Sequence, residues 1–383
     1  MLPSDPRPIA FFAHERGDAR VVKRIAALQD QGRKVIGFTF HRERDKVDAP
    51  PTWKNIHLGT TYNGRYLQRL WAFVKCSGVL WANRNLLETC SVIYVVNTDN
   101  AILALLARLF AGRSIPLVLE IADIQPAMTG GGLVSRILRA IEREVLSRSA
   151  LLVTTSPGFV REYFLRVQDY CGEIFLLENK VYPSHRLPAA ALENTVPVSA
   201  GQPWVIGCFG ALRCRRSLEL MHALALRLGD RVRIILRGYP AGLIAADFDR
   251  LLGDLPNFEF GGSYFYPDEL ADLYAQIDFN WAFDMDNPSG NSAWLLPNRI
   301  YEGGCFGVPV IGAKETETGR WIETRALGWT FAESLEESLA DFLESLDPAD
   351  WAVVKRRCAT HPRGEFTGEG DYVRLVERLN QLE

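Results

Sequence analysis

Residues Pro8–Phe40 read PIAFFAHERGDARVVKRIAALQDQGRKVIGFTF. Pro8–Ala13 is a short, unbroken apolar run with the length of a buried strand. Asp18–Gln31 follows with Val21, Ile25 and Leu28 on one helical face, and Gly32 stops it. Lys34–Phe40 is the next strand. Strand, helix and strand in this order form a βαβ unit, which requires parallel strands and a right-handed crossover.

The alternation continues along the chain. The pattern predicts helices over Asn63–Asn83, Ala101–Ala111 and Leu133–Arg148, and strands over Val92–Asn97, Pro116–Ile121, Leu151–Thr155 and Ile174–Glu178. Ser156-Pro157 supplies a cap and a first-turn proline for a further helix. Tyr182–Pro203 is rich in Pro, Ala and Ser, has no period, and reads as a linker. A second series follows, with strands Trp204–Gly210, Arg231–Arg237, Asp278–Ala282 and Val308–Gly312. Its helices are Ser217–Leu228, Pro267–Gln276 and Pro297–Gly304. From Ser334 the chain is helical, with breaks near Pro348 and over His361–Gly370.

Continuous apolar strands are buried on both faces. The expected fold class is therefore α/β, with two doubly wound, Rossmann-like domains facing a cleft. The domains are residues 1–185 and 204–365, joined by a linker at 186–203, and a last helix within 366–383 packs back on the N-terminal domain. Ligands of such sheets bind beyond the carboxyl ends of the strands.

The 383 residues suit two domains. Hydrophobic residues at 48% and charged residues at 23% exclude a collagen-like or wholly disordered chain. Lys plus Arg number 43 and Asp plus Glu 46, a net charge of −3, so nucleic acid is not an expected partner. Seven cysteines without a C-x-x-C, and six histidines without ligand spacing, argue against a zinc site or a disulfide framework. Reduced thiols and a cytoplasmic location are expected. Met1–Pro8 has no apolar signal core, and no run reaches the ~20 apolar residues of a bilayer span.

Two stretches carry candidate chemistry. In Cys208-Phe209-Gly210-Ala211-Leu212-Arg213-Cys214-Arg215-Arg216-Ser217, a strand end and a glycine lead through three arginines to a helix start. Gly210 admits close backbone approach, the helix N-terminus favours an anion, and guanidiniums suit a diphosphate. The phosphate reading outweighs a tight turn with solvated arginines, because three arginines fall in four positions at the ligand-facing end. In Leu296–Ile311, Pro297 opens a helix that carries Asn298, Arg299 and Glu302, and Gly303, Gly304 and Gly307 imply close packing. Glu302 either accepts from ribose hydroxyls or pairs with Arg299 at the helix start. Its spacing leaves both readings open.

Other polar residues fall at ends of the N-terminal strands. Glu120 and Asp123 close the Pro116–Ile121 strand, His14 and Glu15 follow the first, and Glu178-Asn179-Lys180 ends the last. Asp123 is a candidate for activating or orienting an acceptor hydroxyl, with a loop cap as the alternative.

Glu302–Ile311 resembles the E-x-x-x-x-G-x-P-V-I signature of retaining glycosyltransferases with the GT-B fold, specifically glycosyltransferase family four. Gly210–Ser217 is similar to that family's G-x-L-x-x-x-K-G element, with Arg216 at the lysine and Ser217 at the last glycine. Gly238 resembles the family's next glycine, and Gly261-Gly262-Ser263-Tyr264 its base-binding segment. Asp18–Val21 leading to Gly32–Val35 is similar to the openings of exopolysaccharide and capsule enzymes.

The resemblance implies hexosyl transfer with retention in bacterial polysaccharide synthesis. The donor would be a nucleoside-diphosphate sugar, a UDP-sugar favoured, and the acceptor a glycan or a polyprenyl-diphosphate-linked sugar. It implies donor contacts from Gly210, Arg213, Arg216, Gly238, Tyr264, Asn298, Arg299 and Glu302. Asp123, His14 and Glu302 are the catalytic candidates, and Glu15, Asp123 and Asn179 the acceptor side. Eight positions before Glu302 the chain has Trp294 where the family has glutamate, and Asp284, Asp286 and Asn291 are candidate replacements. No D-x-D motif is read at a strand end, so neither a metal nor another cofactor is expected.

Two stretches suit peripheral contact with the inner face of the cell membrane: Arg65–Lys75, and Leu133–Arg148 with Arg136, Arg139, Arg143 and Arg148. The alternatives are a nucleotide-sugar epimerase of the same fold, which needs no acceptor, and a non-catalytic, degenerate transferase. A dehydrogenase is weaker, because no G-x-G-x-x-G follows the first strand of either domain.

Overall fold

A computed structural model describes residues 7–42, 51–61, 76–183, 187, 202–332 and 334–382. The chain forms two compact units, Met1–Leu177 with Glu369–Glu383, and Glu178–Gly368.

The strands of the first unit are β1 (Ile9–Ala13), β2 (Val35–Arg42), β3 (Lys54–Thr61), β4 (Val92–Val96), β5 (Leu117–Ile121), β6 (Leu151–Thr154) and β7 (Ile174–Leu176). They form one parallel sheet in the order β3-β2-β1-β4-β5-β6-β7. Every residue of β1, β4, β5 and β6 is buried, which is why these strands show no polar alternation. The chain winds outward from β1 in one direction and then from β4 in the other, so the topological switch lies between β1 and β4.

Asp18 caps the helix Ala19–Asp30, its carboxylate accepting from the N–H of Arg20 (2.9 Å) and Val21 (3.2 Å). The helix buries Val21, Ile25 and Leu28, and with them Arg24. Arg24 Nε donates to both oxygens of Glu120 (3.0 and 3.2 Å), and Tyr94 donates to Glu120 Oε2 at 2.6 Å. Arg24 also donates to the Tyr372 hydroxyl at 2.5 Å, which ties the last helix, Glu369–Gln381, to this unit. Burial opposes the charge on Glu120, but Arg24 more than offsets it and holds the carboxyl below its usual range. Of the two carboxylates expected together at the end of β5, Glu120 therefore belongs to the core. Asp123 lies nearer the surface.

The second unit holds β8 (Trp204–Leu212), β9 (Val232–Pro240), β10 (Phe258–Phe260), β11 (Phe279–Trp281), β12 (Val310–Ala313) and β13 (Gly328–Phe331). All are parallel, in the order β10-β9-β8-β11-β12-β13, so the switch lies between β8 and β11. Ile206, Ile234 and Leu236 join one apolar cluster with the helix Arg215–Leu228, while Phe209 and Ile235 join another with Tyr274 and Ile300. Neighbouring residues of a strand thus bury in opposite layers, as a sheet covered on both faces requires.

Most of the expected linker lies outside the described residues, as does the first part of the expected helix Asn63–Asn83. Residues 178–183 cluster with the second unit, where the N–H of Val181 donates to the Phe366 carbonyl at 2.9 Å.

Candidate functional site

In the second unit the carboxyl ends of β8 and β11 flank the switch point. Gly210, near the end of β8, has φ 112°, and Gly238 beside it on β9 has φ 132°. A Cβ on Gly238 would lie 1.8 Å from the Gly210 carbonyl oxygen, so only glycine fits there.

The helix Asn298–Cys305 starts at this end of the sheet. Arg299 donates to Cys208 Sγ on β8 (3.0 Å) and to the carbonyl of Trp281 on β11 (3.3 Å). Its guanidinium therefore spans the two strands at the switch. Burial works against this charge, and Cys208, Tyr274, Asp284 and Glu302 more than restore it. Glu302, 7% exposed, accepts from the Tyr274 hydroxyl at 3.2 Å. Arg299 and Glu302 take different hydrogen-bond partners, while the Glu302 charge supports the Arg299 charge. Burial and the Glu302 charge push up the phenols of both Tyr274 and Tyr264. The glycines after Glu302 admit two neighbours: a Cβ at Gly303 would lie 2.4 Å from Asn280 Nδ2, and one at Gly304 2.4 Å from the Phe366 ring.

The three arginines after β8 separate. Arg213 reaches Asp284 Oδ2 at 3.2 Å and lines a pocket with Cys208, Cys214, Asp284 and Arg299. Arg215 pairs with Asp247 at 2.5 Å. Arg216 is not brought to this pocket. It is exposed and lines an open groove with Glu219, Arg227 and Ser334. The N-terminus of the helix Arg215–Leu228 is capped by the Cys214 thiol, which accepts from the Ser217 N–H at 3.4 Å. Burial pushes that thiol up to about 12. Asn298 is exposed at its helix start.

Asp284-Met285-Asp286 lies on the loop after β11, with Ala282 and Phe283 between it and the strand end. Its carboxylates take different partners. Asp284 contacts Arg213 and Ser292, whereas Asp286 bonds with Cys214.

In the first unit the carboxyl ends of β1, β4 and β5 carry two side-chain pairs. His14 Nε2 lies 2.7 Å from Asp99 Oδ2, and Asp123 Oδ2 accepts from Arg20 at 3.0 Å. Glu15 follows His14 and is half-buried. Asn179 clusters with the second unit. Asp99 and Arg20 were not picked out in the sequence. Asp99 sits in a helix start and Arg20 in an unremarkable first turn, so only the fold reveals their partners.

A family model described as a glycosyl transferase 4-like domain matches residues 13–167. The succinoglycan biosynthesis protein ExoL of Rhizobium meliloti (strain 1021) is 36% identical over 379 residues, covering 98% of this chain and 93% of the relative. Sucrose-phosphate synthase from Thermosynechococcus elongatus matches with a TM-score of 0.76 at 15% identity, covering 98% of this chain and 99% of that one. HepE from Anabaena matches with a TM-score of 0.66 at 16% identity, covering 98% and 100%. At these identities the two structures speak for the fold, and the relative for the family. The chain belongs to glycosyltransferase family four, with the GT-B fold, and is a glycosyltransferase of bacterial polysaccharide synthesis.

Proposed function

We propose that the chain moves a hexose, with retention, from a nucleoside-diphosphate sugar to a glycan or a polyprenyl-diphosphate-linked acceptor, with a UDP-sugar as the donor. Arg299 carries the donor reading: a guanidinium at the switch point, bonded to a thiol and a carbonyl rather than to a carboxylate. A diphosphate supplies the counter-charge. Arg213 lines the same pocket, Gly210 and Gly238 keep the backbone bare, and Glu302 is the carboxylate for the ribose. As the anomeric bond lengthens, negative charge collects on the leaving diphosphate, and fixed guanidiniums stabilise it without reorganising. On the first unit, His14 backed by Asp99, and Asp123 backed by Arg20, are the groups for the acceptor hydroxyl. The HepE structures hold UDP and UDP-glucose, which supports a uridine donor.

A thermal-shift screen against UDP, GDP, CMP, ADP and their sugars tests this. A uridine nucleotide at about 100 times its Kd is expected to raise Tm by roughly 5–10 °C. No shift from any nucleotide would remove the donor reading.

Peripheral membrane contact, on the cytoplasmic face, is part of the same proposal. Leu133, Val134, Ile137 and Ile141 are exposed along the helix Leu133–Ser147, with Arg136 exposed beside them. Apolar side chains at the acyl boundary and a cation at anionic headgroups suit an interfacial helix. Arg139 instead bonds the carbonyls of Met128 and Gly130, and Arg143 those of Val167 and Gln168. The Arg65–Lys75 stretch lies outside the described residues. Among the described residues no helix is long and apolar enough to cross a membrane. Native protein is expected to float with phosphatidylglycerol vesicles and Ile137→Glu to stay behind. Equal behaviour of the two would count against this face.

A further inference from the structure

Trp294 stands where the resemblance puts a carboxylate, yet the donor pocket still contains one. Asp284 lies on the loop directly after β11, with its side chain 14% exposed. Its Oδ2 contacts Arg213 at 3.2 Å, and its Oδ1 accepts from the Ser292 hydroxyl at 2.5 Å. It lines the same pocket as Arg299 and adds to the charge balance there.

We infer that Asp284 is the positioning carboxylate for the donor sugar, held on Arg213 until a diphosphate takes that arginine. This rests on the donor reading proposed above. A carboxylate in a pocket for a diphosphate opposes the ligand unless the two divide the available cations between them. Arg213 is the exposed end of the pair, at 47%, on a long side chain that can turn. A diphosphate carries more charge than a carboxylate and offers paired oxygens to a guanidinium, so it takes Arg213. Asp284 keeps its Ser292 bond and turns an acceptor-only oxygen towards the ligand. Beside a sugar-linked diphosphate the groups with protons to donate are sugar hydroxyls. Bare nucleoside diphosphate has none at that position. Asp284 thus separates the complete donor from its spent product. Asp286, two residues on, does not share this part because it is bonded to Cys214.

The test compares Kd by titration calorimetry for the nucleoside diphosphate selected by the thermal screen, with and without its sugar. Full-length native protein, Asp284→Asn, Asp284→Glu and Arg299→Ala are measured. Asp284→Asn is expected to bind the bare diphosphate as tightly as native or more tightly, and the sugar nucleotide about tenfold more weakly. Asp284→Glu is expected to recover part of the preference for the sugar nucleotide. Asp284→Ser is the second variant, in case the amide does not fit beside Ser292. A common factor for both ligands in the Asp284 variants would make the residue a loop support and overturn the proposal. So would native binding that requires Mn²⁺ and loses that requirement in Asp284→Asn, since Asp284 would then be a metal ligand. The donor reading fails separately, when native protein binds neither ligand or Arg299→Ala binds both as native does.

Discussion

Arg299→Ala is expected to lower kcat/KM for glycosyl transfer by about 10²–10³-fold, or roughly 3–4 kcal/mol of transition-state stabilisation. The guanidinium sits across β8 and β11 on a thiol and a carbonyl, so a positive charge is built into the switch point ahead of the ligand. Charge on the leaving diphosphate rises as the anomeric bond breaks, so this interaction strengthens along the reaction and appears in kcat as well as KM. Arg299→Lys separates charge from geometry. A lysine keeps the cation but loses the fork that holds two strand ends and a diphosphate together. Partial recovery is therefore expected, well short of native. If Arg299 only tied the two strands, Arg299→Ala would lower Tm and leave kcat at saturating donor unchanged.

Glu120→Ala is expected to cost about 3–5 kcal/mol of stability, because it leaves Arg24 charged and uncompensated in the core. Both side chains are essentially inaccessible, at 1% and 0%, so solvent cannot take over the lost partner. Tyr94 loses its acceptor at the same time. The same pair makes stability depend on pH. The folded carboxyl is held below its ordinary value, so its contribution is present above the unfolded carboxyl's pKa, about 4.5, and is lost as pH falls through the folded value. Urea unfolding at neutral and acidic pH measures both effects. A loss under about 1 kcal/mol for Glu120→Ala, with an unchanged acid limb, would contradict the assignment.

The central strands were legible because burial on both faces leaves an uninterrupted apolar run, as in β1, β4 and β8. The strands that were missed, β3, β10 and β13, lie at sheet edges. Lys54–Thr61 buries little beyond Leu58, and Phe258–Phe260 and Gly328–Phe331 are three and four residues long. A half-solvated edge strand has no continuous apolar run to find. At the candidate site, Glu302 and Arg299 were visible because they lie at a helix start opened by Pro297, and Gly238 through the family resemblance. The fate of the three arginines after β8 was not visible. Arg213, Arg215 and Arg216 lie within four positions, but they leave the strand end towards a pocket, an aspartate and a separate groove. Local spacing cannot tell these directions apart. The carboxylate pair at the end of β5 divides for the same reason, Glu120 turning inward to Arg24 and Asp123 remaining with Arg20.

The most direct measurement is a crystal structure with the stabilising nucleoside diphosphate bound. Diphosphate density within hydrogen-bond distance of Arg299, with Glu302 on the ribose hydroxyls, is the predicted result. Density in the open groove lined by Arg216 and Arg227, with the Arg299 pocket empty, would contradict it.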